Sequence, residues 1–124
     1  MREAFVQTAV LDLEDGADTA APGGAVTVAL CGSWEHAPPC PLAPHLTEAT
    51  AEGARVSLRI VFAAEPQGEA EVRSRIAAAL GVGRVTGPDG RVSRWTMRRC
   101  APDVPTPDEV AHGRKIGKTD GATP

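Results

Sequence analysis

The fold is decided by residues 53–64, GARVSLRIVFAA, in which large apolar side chains alternate with polar ones. The apolar set consists of Val56, Leu58, Ile60 and Phe62. Successive side chains of a β-strand point to opposite faces of its sheet, so this spacing puts all four on one face. The segment therefore predicts a strand with that face turned toward the core.

The next segment, residues 65–81, has the features of an amphipathic helix. Pro66 suits the first helical position, Glu69 and Glu71 favour the helix N-terminus, and Gly81 is a typical stop. An apolar stripe is formed by Val72, Ile76, Ala79 and Leu80. Because such a stripe is buried against another element, we expect the helix to pack on the sheet.

Two further strands are predicted upstream of this pair. Residues 4–13, AFVQTAVLDL, are apolar or β-branched on both parities, as in a strand covered on both faces. In residues 24–32, GAVTVALCG, alternate apolar positions again share one face. The prolines in residues 33–47 disfavour a helix or a central strand, so this segment is predicted to be a stiff loop.

Downstream, residues 82–99 predict a hairpin around a turn at 88–90, Pro-Asp-Gly. In its second strand Trp95 has the parity expected of a core-facing side chain. Residues 102–124 contain several prolines and few large apolar side chains. They cannot offset the entropy of ordering by themselves, so they predict a flexible C-terminal tail.

The predicted element order is therefore β-β-β-α-β-β. It indicates an α+β fold, specifically a two-layer sandwich in which one amphipathic helix covers one face of a mostly antiparallel sheet. A chain of 124 residues has room for a single domain. We place that domain at residues 1–101 and the tail at 102–124.

Composition and charge exclude several classes of protein. The longest apolar run is far shorter than the roughly 18–20 residues needed to cross a bilayer, and the N-terminus lacks the pattern of a secretion signal. Three cysteines make an odd number, so free, buried or metal-bound thiols are expected in place of a disulfide framework. The net charge of −3 gives no overall attraction to nucleic acid or to an anionic membrane. We therefore expect a cytoplasmic protein.

Chemically reactive side chains are concentrated in residues 31–45, CGSWEHAPPCPLAPH. The candidate metal ligands there are Cys31, His36, Cys40 and His45. Two thiolates and two imidazoles would satisfy a closed tetrahedral zinc site, and the prolines make convergence of the ligands less costly. The spacing lacks the tight C-x2-C or H-x3-H pair of familiar zinc sites. The alternative is that the cysteines are buried as small apolar residues and the histidines are solvated.

Two other functions are carried as alternatives. The first is a small enzyme or redox protein with Cys31 or Cys40 as its nucleophile, which would need a neighbouring histidine base and a lowered thiol pKa. The second is an RNA-associated protein, because residues 83–124 carry eight basic and five acidic side chains whereas residues 1–82 carry five and eleven. The hairpin arginines are Arg84, Arg91, Arg94, Arg98 and Arg99. A solvated strand face, or ion pairs with the acidic residues of the first strand, would equally explain them.

We therefore expect a small non-catalytic binding or accessory module whose functional surface is the proline-rich Cys/His loop, with zinc as the candidate cofactor. The expected partner is another protein, in preference to a nucleic acid, and no membrane is expected.

Overall fold

The computed structural model describes residues 2–31 and 43–121, with side chains at all of these positions except Cys31 and residues 117–121. Strands and helices alternate along most of the chain. They are β1 (Glu3–Leu13), α1 (Ala21–Cys31), β2 (His45–Glu52), β3 (Arg55–Ala64), a 3-10 turn (Pro66–Gly68), α2 (Glu69–Val82), β4 (Arg84–Thr86), β5 (Val92–Asp103) and α3 (Pro107–Gly121).

The five strands form one antiparallel sheet with the order β2-β3-β1-β5-β4. β1 lies at the centre of the sheet. The helix α1 connects β1 to β2, and β3 lies between these two strands. This is the split β-α-β connectivity of ferredoxin-like sheets, extended by the short strand β4. The predicted α+β class with an antiparallel sheet is confirmed. The prediction of one helix is not, because the described chain contains three.

The core lies between the sheet and the helices α1 and α2. As predicted, the buried residues of β3 include Val56, Leu58, Ile60 and Phe62. The face of α2 toward the sheet buries Val72, Ile76 and Leu80. Each such aliphatic side chain contributes roughly 1.5–3 kcal/mol by leaving water. Trp95 is also buried, as predicted, and its indole Nε1 donates a hydrogen bond of 2.8 Å to the carbonyl of Leu80.

Residues 24–32 were predicted to form a strand, and this prediction is wrong, because most of them belong to α1. A short apolar run fits either a strand or a buried helix by pattern alone. The helical spacing is visible in the burial: Pro22, Val26 and Leu30 are fully buried at intervals of four residues, whereas Val28 is only half-buried. Asp18 Oδ1 accepts a hydrogen bond from the amide of Ala20 at 2.9 Å and so satisfies a backbone donor just before the helix.

The predicted loop at 33–47 ends earlier than expected, because β2 begins at His45. This strand has no strong apolar alternation, and its pairing with β3 defines it: the register runs without interruption from His45 opposite Phe62 to Glu52 opposite Arg55. Gly53 makes the tight connection to β3 with a φ of +61°, a conformation that favours glycine. The rest of the predicted loop, residues 32–42, lies outside the described residues.

Residues 102–121 differ from the predicted tail, since β5 extends to Asp103 and α3 follows it. Thr106 and Glu109 form a reciprocal cap in which each side chain accepts from the other's backbone amide, at 3.2 and 2.8 Å. Arg59 of β3 then binds Glu109 and Asp103, both at 2.6 Å. These contacts join positions about fifty residues apart, so local composition could not indicate them.

The sheet has two faces with different cover. The core face, under α1 and α2, takes the odd-numbered residues of β1 such as Ala9 and Leu11. The outer face takes the even-numbered ones, and α3 packs against one end of it, where Gly113 lies directly over Ala4. Val61 and Ala63 of β3, also on the outer face, are buried at that end. Helices therefore lie on both faces, and the predicted two-layer sandwich with a helix on one face only is not confirmed.

Candidate functional site

His45 is the one predicted zinc ligand whose side chain the structure describes. Its Nδ1 lies 3.3 Å from the carbonyl oxygen of Ala43, and its Nε2 lies 3.1 Å from Thr27 Oγ1 on α1. A carbonyl can only accept, so the contact with Ala43 requires a proton on Nδ1, and Nε2 faces the hydroxyl of Thr27 on α1. The imidazole is thus held between β2 and α1, with Nε2 on the side of α1.

Two threonines, Thr27 of α1 and Thr47 of β2, lie at the junction of these two elements. The hydroxyl of Thr27 donates to the carbonyl of Gly23 at 3.2 Å, in addition to its contact with Nε2 of His45. Thr47 lies two residues after His45 on the same side of β2. Its Oγ1 is buried and has no hydrogen-bond partner in the structure as described. This junction therefore contains a buried polar atom that is not satisfied locally.

The other predicted ligands are only partly placed. Cys31 is the last residue of α1, four residues and hence about one turn after Thr27. The backbone thus brings Cys31 and His45 to the same junction. His36 and Cys40 lie outside the described residues, so the four-ligand site stays a prediction, as does the nucleophile assigned to Cys31 or Cys40. Within the described side chains, no three metal-binding groups cluster together.

Cys100, the remaining cysteine, lies in a polar network that sequence reasoning missed. Its Sγ accepts a hydrogen bond of 3.1 Å from Nε2 of Gln7, a side chain that is 4% exposed. The amide oxygen of Gln7 accepts in turn from Arg73 Nη1 at 2.7 Å. The Arg73 guanidinium also lies over the rings of Phe5 and Phe62, at 5.8 and 5.4 Å from their centroids. Hydrogen bonds satisfy the buried polar groups of this network. Through Arg73, Gln7 and Cys100 the network also joins α2 to the sheet.

The hairpin arginines occupy the outer face or its rim. Arg84 and Arg94 are directly opposite each other in the β4–β5 register, and both are exposed. Arg98 donates to Asp12 of β1 at 2.6 Å, and Arg99 is opposite Val10. The expected pairing with an acidic residue of the first strand thus occurs for one of these arginines. Among the described residues, Arg84, Arg94 and Arg99 form no ion pair.

Three carboxylates at the outer face have lowered pKa values, and besides Asp103 they are Asp12 and Glu109. The hydrogen bonds from Arg55 and then Arg98 hold the pKa of Asp12 below its ordinary value. Arg59 lowers the pKa of Glu109 to about 2, and the capping contacts of Thr106 add to this effect. All three carboxylates are therefore ionised near neutral pH, and none is suited to act as an acid or base there.

Two shallow pockets formed by described residues hold no catalytic arrangement. One, of about 200 Å³, lies between the start of α1 and the β4–β5 turn. Its polar groups are already engaged, since Asp18 accepts from Ala20 and Arg91 donates to the carbonyl of Gly16. The other, of about 370 Å³, lies beside the start of α2 and is lined by Arg2 and Glu71 among others.

Comparisons with protein families, with curated proteins and with solved structures find no match. None of the helices in the described ranges has the length and apolar character required to cross a bilayer.

Proposed function

We propose that the protein is a small binding module whose α1–β2 junction is held together by a zinc ion, with Cys31, His36, Cys40 and His45 as ligands. One observation carries the proposal: His45 donates Nδ1–H to the carbonyl of Ala43 and directs Nε2 toward α1, which ends at Cys31. Histidines that bind metals commonly have their second ring nitrogen fixed in this way by a backbone carbonyl or a carboxylate.

The role of the zinc would be structural. Two sulfur and two nitrogen donors fill a tetrahedral coordination sphere and leave no open position for a substrate or water. Ligands at both ends and in the middle of the connection would fix the proline-rich segment as a rigid surface, which we assign to a protein partner. Thiolate ligands require reduced cysteines, so the proposal includes a reducing compartment such as the cytoplasm.

The test is the metal content and thermal stability of protein purified without a histidine tag. We expect about one zinc per chain, and a lower melting temperature after chelation, because binding free energy of a structural zinc adds to folding. His45→Ala should lose the metal. The matched control is Thr27→Val, which removes the hydroxyl beside Nε2 but no proposed ligand, and it should keep the metal.

The outcomes separate zinc binding from a purely structural histidine. If His45 only anchors α1 to β2 through Thr27, then wild-type protein contains far less than one equivalent of zinc, chelation leaves the melting temperature unchanged, and the two substitutions lower it similarly. That result would exclude the zinc site.

A further inference from the structure

The inference concerns four arginines of β4 and β5, which we call the arginine face: Arg84, Arg94, Arg98 and Arg99. Ser93 and Trp95 are buried, at 3% and 4% exposed, so Arg94 between them points away from the core. Arg84 is the cross-strand neighbour of Arg94 and shares its side of the hairpin. All four arginines are exposed, and no described segment covers them.

The positive charge of the arginine face is largely uncompensated. Only Arg98 has an acidic partner there, Asp12, and this carboxylate is shared with Arg55, to which it binds at 3.0 Å. Side chains directly opposite in an antiparallel pair have Cβ atoms about 5 Å apart, so Arg84 and Arg94 repel each other. An external anion placed between them would replace that repulsion with attraction.

Charge is segregated across the outer face. The acidic residues Glu48 and Glu52 lie on β2, at the opposite edge of the sheet, where they are paired in register with Arg59 and Arg55. The β4–β5 edge is therefore positive although the whole chain carries a net charge of −3. A long anion would be guided along this edge and away from β2.

The dimensions of the arginine face suit an extended ligand. At roughly 3.3 Å per residue, Arg94 and Arg99 are about 15 Å apart along β5, and the adjacent strand adds about 5 Å of width. A guanidinium binds phosphate oxygens in a bidentate manner, and arginine is preferred over lysine for this purpose. The two strands that carry the arginine face, β4 and β5, contain no lysine.

Within the described part of the chain, the outer face offers few of the side chains that base recognition or apolar docking would need. Stacking of bases requires exposed aromatic side chains, and the three described aromatic residues are Phe5, Phe62 and Trp95, none of them on the outer face. A protein interface requires large apolar anchors that cluster at its centre, and in the described chain the exposed large apolar side chains nearest to these arginines in sequence are two separate valines, Val82 and Val92. The pattern fits contact with a phosphate backbone and no reading of sequence.

We propose that the arginine face binds the phosphate backbone of a nucleic acid without sequence preference. This goes beyond the proposed zinc-held module and does not depend on it. The expected affinity is that of non-specific binding, a Kd of roughly 1–100 µM at physiological salt. With three or four phosphate contacts, the logarithm of the association constant should fall against the logarithm of salt concentration with a slope of about −2.1 to −2.8 for a single strand and about −2.7 to −3.6 for duplex DNA.

The experiment is fluorescence anisotropy of labelled single-stranded RNA of about 12 nucleotides and of duplex DNA of similar length, from about 50 to about 200 mM salt. Arg84→Gln, Arg94→Gln and Arg99→Gln should each weaken binding several-fold and reduce the magnitude of the slope by about 0.7–0.9. The arm with the tighter binding identifies the form of nucleic acid.

The matched control is Arg75→Gln, an equal change of charge on α2, which packs on the core face. Its side chain is 51% exposed, and binding should be unchanged. Circular dichroism melts establish that each variant is folded. Absence of binding at the lowest salt, an equal loss in Arg75→Gln, or equally tight binding to poly-glutamate would each overturn the proposal. The zinc chelator should leave binding intact, so failure here is distinct from failure of the zinc site.

Discussion

At the scale of single residues, two helical glycines have opposite relations to their surroundings. A Cβ atom added at Gly113 of α3 would lie 2.4 Å from the Cβ of Ala4, so the glycine allows this helix to approach β1 closely. A Cβ added at Gly81 of α2 would meet nothing closer than Met97 Cε, at the ordinary contact distance of 3.7 Å. The same substitution should therefore have opposite effects at the two positions.

We predict that Gly113→Ala destabilises the protein by about 1–3 kcal/mol, because α3 must shift to relieve the clash. Gly81→Ala should stabilise it by up to about 1 kcal/mol, since alanine lowers the entropic cost of the helix without a new contact. Urea unfolding of both variants gives the comparison. Equal effects of the two changes would show that α3 does not press on β1 as described.

At the scale of elements, α3 is attached to the sheet by an acid-sensitive contact. Glu109 is only 16% exposed and has its pKa lowered from 4.5 to about 2 by Arg59. A carboxylate whose pKa is lower in the folded state stabilises that state above its unfolded pKa, and the contribution is lost as pH falls toward the folded pKa. The attachment of α3 should therefore weaken between about pH 4.5 and pH 2.

Glu109→Gln tests this contact. We expect a loss of about 1–2 kcal/mol at pH 7, a value reduced for solvent screening, and a difference from wild type that shrinks as pH falls below 4.5. The control is Glu71→Gln, which breaks an exposed helical ion pair with Arg75 worth only about 0.3–0.5 kcal/mol. Thermal melts across the pH range measure both. A difference that is constant with pH would contradict the role of the Glu109 charge.

At the scale of the whole molecule, α3 acts as cover for one end of the outer face. Shortening the chain after Val104 would expose Val6, Val61 and Ala63, all of which are at most 2% exposed in the full chain. We predict a loss of about 3 kcal/mol or more and some self-association, seen in melting experiments and size-exclusion chromatography. A truncated chain as stable as the full one would mean that residues 105–124 behave as the tail that composition indicates.

Sequence patterns predicted the elements that have a clear period and missed those defined by distant partners. Three patterns were each sufficient to predict their element: the alternation of apolar residues in β3, the apolar stripe of α2 and the turn residues between β4 and β5. α1 was taken for a strand because Val26, Val28 and Leu30 fit the period of a strand, whereas only Val26 and Leu30 share the face that α1 buries, in part against α2. β2 and α3 depend on β3, which supplies the paired strand for one and Arg59 for the other.

The candidate site was predictable to a similar degree. Sequence spacing singled out His45, and the structure adds the orientation of its imidazole between Ala43 and Thr27. The arginine face was visible as a charge imbalance, but its exposure on an uncovered sheet depends on strand register, which no local pattern encodes. The Gln7–Cys100 contact joins residues 93 positions apart and left no signal in the sequence.

The central position of β1 has a consequence for biosynthesis. Val6 is paired with Val61 on one side and with Asp103 on the other. The strand β1 is synthesised early, and its second neighbour in the sheet, β5, is synthesised late. Pairings of such wide separation are slow to form, since a long loop must close first. During translation β1 and β3 can join while the opposite edge of β1 still has free amides and carbonyls, and that edge is open to association with other nascent chains until β5 leaves the ribosome.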